Sequence, residues 1–413
     1  MKKYIVNGHL VLPTRILENG WVEISDTKIS ALGTGNCPAD PGCEIIDAKG
    51  RYVSPGFIDI HVHGGGGFEF MCESPDTIRK ICKAHARHGT TSILPTTFAA
   101  PMQDILTTID SIREAQKITT ECNILGAHLE GPYFAQSQRG AQNPEYILTP
   151  KPEEYLPMLE RWDGIRLVGA APELDGALEF GRELRQRGIT ASIAHSDATW
   201  EDVVAAMENG YTDVTHIYSG CSMVHRVNGY RIAGIVEAGL YFNDLSVQVI
   251  ADGKHLPASL LKLIYHCKGP DRISLITDAL FAAAADYPEE ELIVQKNGMS
   301  TVLEDGVMKL PDRQAFAGSI ATTSRLVRNI MELAGADLVS AVRMASCTPA
   351  RVIHADDRKG RIAIGYDADL LVIDEQIHVY RTMVMGDTVF GQENSLFCAP
   401  QINRKQLLYA PER

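Results

Sequence analysis

The chain has 413 residues, enough for two or three domains of about 150 residues or for one α/β barrel with additions. Its 39 Lys and Arg against 52 Asp and Glu give a net charge of −13, and no run of five or six like charges forms a basic patch, so nucleic acid is excluded as a partner. Nine scattered cysteines (Cys37, Cys43, Cys72, Cys82, Cys122, Cys221, Cys267, Cys347 and Cys398) include no CxxC pair, which excludes a disulfide framework and a thiolate zinc site.

At the start, Met1-Lys2-Lys3-Tyr4 is soon followed by Asn7-Gly8-His9, so no apolar leader is expected. No run of about 18 apolar residues occurs further on, and the expectation is a cytoplasmic protein without a membrane partner. Tyr4-Ile5-Val6 and Trp21-Val22-Glu23-Ile24 read as strands separated by turn signals. Asp369-Leu370-Leu371-Val372-Ile373 and the stretch from His378 to Met385 read the same way near the other end. The two ends are therefore expected to build one small β-sandwich domain from residues 1–53 and 356–413.

Residues 54–355 between them alternate short apolar runs with helical spacing. The runs are Phe57–Ile60, Ser92–Leu94, Ile124–Ala127, Arg166–Gly169, Thr190–Ile193, Asp213–Thr215, Val247–Ile250 and Ile273–Ile276. Ile78, Ile81, Cys82 and His85 mark a helix after the first, and Leu260, Leu261, Ile264 and Tyr265 mark one after Pro257. Eight such units in about 220 residues predict a (β/α)8 TIM-like barrel. No Gly-x-Gly-x-x-Gly or P-loop follows a strand, so no nucleotide cofactor is expected.

Barrel sites lie at the carboxyl ends of the strands. There the sequence places His61 and His63, Glu130, His195, His216, His255 and Asp278. A single strand-end histidine is most often a hydrogen-bonded structural residue; six strand ends carrying such groups point to one site. His61 and His63 alternate on one strand and share a side, and Gly64-Gly65-Gly66-Gly67 is expected to keep the rim open. Imidazoles with a carboxylate suit zinc or iron(II), and one or two divalent ions are expected. Asp278 is placed to accept a proton from water and return it to a leaving group.

Pro55-Gly56-Phe57-Ile58-Asp59-Ile60-His61-Val62-His63-Gly64, with His195, His216 and Thr277-Asp278, resembles the amidohydrolase superfamily. His128-Leu129-Glu130-Gly131-Pro132, Ile250-Ala251-Asp252-Gly253-Lys254-His255 and Ala317-Gly318-Ser319 narrow the resemblance to N-acetylglucosamine-6-phosphate deacetylases. The resemblance implies that Glu130, His195 and His216 hold a metal, that His61 and His63 hold a further one, with Glu130 and Asp278 able to bridge or complete it, and that Asp278 is the acid/base. It also implies substrate contacts at Ala141, Gln142, Ser219, Gly220, His255, Phe316, Ala317 and Gly318, a small amino sugar substrate, and a homodimer.

Two positions depart from the family pattern. The family arginine that holds the sugar phosphate from a neighbouring subunit falls at Val227, one residue after Arg226 and four before Arg231, so Arg226 is the candidate phosphate contact. Gln142 stands where some members have histidine. Deacetylation of N-acetylgalactosamine 6-phosphate or of an unphosphorylated N-acetyl sugar is the alternative within the enzyme class. A non-catalytic barrel protein is the alternative outside it, disfavoured because every ligand position is kept.

Overall fold

The computed structural model describes residues 2–39, 41–71, 73–289, 291–295 and 298–391. Cys72, Cys398 and the 392–413 part of the expected C-terminal segment lie outside them. Strands β1 (Lys2–Val11), β2 (Ile16–Ser25), β3 (Lys28–Thr34), β4 (Glu44–Asp47) and β5 (Tyr52–Pro55) open the chain. They join the last three strands in one eight-stranded sheet. Alternation along β2 turns Val22 and Ile24 inward, where they meet Ile5, Leu10, Ile29, Val53, Leu370 and Val372 in a core separate from that of the barrel.

The barrel begins with β6 (Phe57–Val62), and a short hairpin of β7 (Gly64–Gly65) and β8 (Phe68–Glu69) follows. Helix α1 (Pro75–Ala86) starts where Ser74 accepts the Thr77 N–H and Pro75 fills the first turn. Its buried face is the expected Ile78, Ile81, Cys82 and His85, with Ala86 beside them. Next come β9 (Thr90–Pro95), β10 (Asn123–Ile124) and β11 (Ala127–Glu130). The expected third strand over Ile124–Ala127 is thus split, because Gly126 adopts φ +151° and packs so closely that a Cβ would lie 2.1 Å from the Gly164 carbonyl oxygen.

Strands β12 (Ile165–Ala170), β13 (Thr190–Ile193) and β14 (Tyr211–Val214) continue the parallel series. An antiparallel hairpin of β15 (His225–Val227) and β16 (Tyr230–Ile232) then projects from it. β17 (Ser246–Val249) and β18 (Ile273–Leu275) complete the series, and the Asp278 N–H donates to the His61 carbonyl at 2.9 Å to close the ring against the first strand. A four-stranded antiparallel sheet, β19 (Leu292–Val294), β20 (Ser300–Glu304), β21 (Val307–Lys309) and β22 (Phe316–Gly318), was not expected from the sequence. β23 (Leu370–Ile373), β24 (Val379–Val384) and β25 (Asp387–Gly391) return to the small sheet, where β23 pairs with β5. Among the described residues, no helix is long and apolar enough to cross a membrane, and the described cysteines are free thiols.

Candidate active site

Four imidazoles and two carboxylates converge at the carboxyl end of the barrel. His61 ends its strand pointing inward, and its Nε2 lies 3.2 Å from His63 Nε2, 3.4 Å from Glu130 Oε1 and 3.5 Å from Asp278 Oδ1. His63 Nε2 is 3.1 Å from Asp278 Oδ1 and 3.4 Å from Glu130 Oε2. His195 and His216 direct Nε2 at Glu130 Oε1 from 3.2 and 3.1 Å. Two overlapping ligand sets, His61–Glu130–His216 and His61–His63–Asp278, bring their donor atoms within 4.8 Å of one another.

The backbone is strained where it delivers these groups. His195, His216 and Asp278 adopt φ of +46°, +26° and +48°, left-handed values that cost a non-glycine residue about 1–2 kcal/mol. The first half of the glycine run is packed rather than open, whereas Gly67 has open space around it. Gly64 and Gly65 form a strand, and a Cβ on them would lie 2.3 Å from the Phe68 carbonyl and 2.4 Å from His85 Nε2.

Hydrogen bonds on the far side of the rings fix the tautomers. His195 Nδ1 donates to the Gln138 carbonyl at 2.8 Å and His216 Nδ1 to the Ser219 carbonyl at 3.0 Å. Each neutral ring therefore turns a lone pair inward through Nε2, and in the protonated ring the same nitrogen donates to Glu130. Burial opposes the charge on Glu130, yet His61, His195 and His216 outweigh it and hold the carboxyl well below its usual range. Burial likewise opposes ionisation of Asp278, and His63 and His61 outweigh it. His63 is the converse: burial disfavours its cation, but its bonds to Asp278 and Glu130 push it up to about 10. Lone pairs and carboxylates crowded into one buried point are the donor set of a divalent cation, and these residues fit one.

The expected substrate positions lie around this cluster. The loop carrying Ala141 and Gln142 touches it through Gln138 and through Gln142, whose Nε2 donates to Glu130 Oε2 at 2.7 Å while its Oε1 accepts the Ala99 N–H at 2.9 Å. Gln142 thus bonds a candidate ligand. Ser219 supplies the carbonyl that orients His216, and a Cβ on Gly220 would sit 2.7 Å from His195 Nδ1. Phe316, Ala317 and Gly318 are stitched beside Asp278 because the Ser319 N–H donates to the Asp278 carbonyl at 2.8 Å. His255 lies in the loop beyond β17; its ring lies 4.9 Å from that of Phe316 at a 53° tilt, and its Nδ1 donates to Asp252 Oδ2 at 2.8 Å. Arg226 is not brought to the cluster: it sits on the exposed β15–β16 hairpin opposite Arg231.

Residues absent from the expected set underlie the cluster. Asp59 accepts from Thr277 Oγ1 at 2.5 Å and from the His61 N–H at 3.3 Å, and burial pushes its carboxyl up to about 6. Gln248 and Asp213 lie beneath His61. Asp59 stands in the motif stretch, whereas Gln248 is flanked by Val247 and Val249 and carries no local signal.

An eight-stranded parallel barrel with six such groups at its strand ends has the architecture of a barrel hydrolase. The chain belongs to the amidohydrolase family, whose model matches residues 52–389. It is 32% identical to N-acetylgalactosamine-6-phosphate deacetylase of Escherichia coli O157:H7, over 92% of this chain and 98% of that protein. It is 31% identical to N-acetylglucosamine-6-phosphate deacetylase of Bacillus subtilis (strain 168), over 92% and 95%. The crystal structure of N-acetylglucosamine-6-phosphate deacetylase from Pasteurella multocida superposes with a TM-score of 0.87 at 27% identity, over 94% of this chain and 99% of that one.

Proposed function

We propose that the protein hydrolyses the acetamide of an N-acetyl amino sugar 6-phosphate, N-acetylglucosamine 6-phosphate first, releasing acetate and the amine. The observation that carries this reading is the convergence of His61, His63, His195 and His216 on Glu130 and Asp278. Glu130, His195 and His216 would hold one divalent ion, zinc or iron, and His61 and His63 a second, with Glu130 and Asp278 shared between them. Such an ion supplies the positive charge that acidifies the attacking water and polarises the acetamide carbonyl.

The chain's own groups do the rest. Asp278 takes the proton from the attacking water and returns it to the leaving amine. Its backbone is held from both sides, by its own N–H on the His61 carbonyl and by the Ser319 N–H on its carbonyl. Gln142 holds Glu130 Oε2. His255, oriented by Asp252, and the face of Phe316 bind the sugar.

In this reading the protein is a cytoplasmic homodimer, and Arg226 reaches the phosphate bound to the neighbouring copy. The exposed Met223, Val224, Val227 and Tyr230 on and beside the hairpin support that contact.

A deacetylation screen of N-acetylglucosamine and N-acetylgalactosamine, each with and without a 6-phosphate, tests the substrate. A preference for the free sugars removes the phosphate from the reading. Arg226→Ala should raise KM for the phosphorylated sugar about 10- to 150-fold with a smaller change in kcat, and leave the free sugar nearly unaffected.

A further inference from the structure

Beneath the mouth of the barrel, His61, Gln248 and Asp213 form a chain with no solvent exposure at any of the three residues. His61 Nδ1 lies 3.1 Å from Gln248 Oε1, and Gln248 Nε2 donates to Asp213 Oδ2 at 2.7 Å. Asp213 collects two further donors, Ser192 Oγ on Oδ2 at 2.9 Å and Ser246 Oγ on Oδ1 at 2.6 Å.

The direction of this chain follows from its far end. A carboxylate only accepts hydrogen bonds, so the Gln248 group facing Asp213 is the NH2. Turning the amide over would set its oxygen 2.7 Å from a carboxylate oxygen in a place water does not reach. The amide oxygen therefore faces His61, and an amide oxygen also only accepts. The hydrogen of neutral His61 is at Nδ1, and its lone pair is at Nε2, among His63, Glu130 and Asp278.

The other rings differ in this respect. His195 and His216 are set by backbone carbonyls, which no substitution removes, and His63 Nδ1 has no hydrogen-bond partner among the described residues. Of the four, His61 is the one whose tautomer side chains decide.

We propose that Gln248 and Asp213 are positioning residues that reserve His61 Nε2 for a metal ion, and that the ion shared by His61 and His63 depends on them. This rests on the reading of the cluster as a metal site. Partners behind a metal-ligating histidine change metal affinity about 10- to 100-fold when they are removed.

The test is zinc bound per chain after equilibrium dialysis in buffered zinc, with the melting temperature followed in parallel. Gln248→Met keeps the volume and removes the acceptor. It should weaken zinc binding at the His61–His63–Asp278 set about 10- to 100-fold. Exchanging the two polarities, Asp213→Asn with Gln248→Glu, lets the amide at 213 donate to the carboxylate at 248, which accepts from His61; zinc affinity should return to within about threefold of the parent. If Gln248→Met does not accumulate folded, Asp213→Leu alone removes the acceptor that orients the amide and carries the same expected loss.

A parent-like zinc isotherm in Gln248→Met or Asp213→Leu overturns the proposal, even with a lowered melting temperature. So does a double exchange no better than the single variant. A parent that binds no zinc overturns the metal reading itself, and this inference with it.

Discussion

Where the small sheet meets the barrel, Lys359 Nζ lies 2.6 Å from Asp369 and 2.9 Å from Asp367, all three side chains buried. The other acceptor positions there are filled as well: Asn123 and the Met385 N–H bond Asp369, and Lys28 and Arg358 reach Asp367. At the barrel mouth Glu130 is buried as deeply and Asp278 nearly so, yet the groups around them are imidazoles, two of them with Nδ1 committed to backbone carbonyls. The first cluster carries its cations in the chain. The second faces its carboxylates with imidazoles, whose charge is a proton that a divalent ion can displace, and this separates a joint from a reaction centre more sharply than burial does.

The largest effect that sharpens this contrast is chemical. Asp278→Asn should lower kcat about 10²- to 10⁴-fold while metal content and unfolding midpoint stay near the parent's. Activity within tenfold of the parent would remove Asp278 as the acid/base.

At the joint, Lys359→Met strands two buried carboxylates and should cost about 3–5 kcal/mol in urea unfolding, with metal per folded chain unchanged. An unaltered urea midpoint would show that the joint does not depend on its internal cation.

Metal removal should act on the other cluster. Stripping with a chelator should lower the melting temperature, and zinc at a hundredfold over its dissociation constant should restore about 2.7 kcal/mol. A melting temperature indifferent to both treatments would erase the distinction between the two clusters.

The smallest effect is a pH dependence at Asp367. Burial opposes its charge, but Lys28 and Lys359 hold the carboxyl below its usual range. A lowered native pKa gives stability that is complete above the unfolded value of about 4 and is lost as pH falls through the native one. The deficit of Asp367→Asn, about 1.5 kcal/mol at pH 6, should therefore narrow at pH 3.5 in paired urea titrations.

The barrel was legible because its strands are short apolar runs at regular spacing and its chemistry falls where those runs end, as at His195 and His216. What failed to show lies where the local pattern is ordinary. Val247-Gln248-Val249 alternates as any half-buried strand does, and only closure of the ring turns Gln248 toward His61. Gln142 read as a substrate contact because the family resemblance placed one there; its bond to Glu130 needs the third strand and that loop brought together. The 292–318 sheet escaped for a related reason, since its strands of three to five residues are hardly longer than turns.

The pairing of β5 with β23 has a consequence for synthesis. Pro55 leaves the ribosome 315 residues before its partner Leu370 (370 − 55), an interval of roughly 15–60 s at 5–20 residues per second. Until then β5, with Val53, Ser54 and Pro55 buried in the finished protein, is the open border of a nascent sheet, its amides and carbonyls unpaired on one side. The whole barrel is made while that border waits. A chain stalled anywhere between the two strands therefore exposes an adhesive edge, and slowing elongation there should raise the fraction lost to aggregation before any metal is bound.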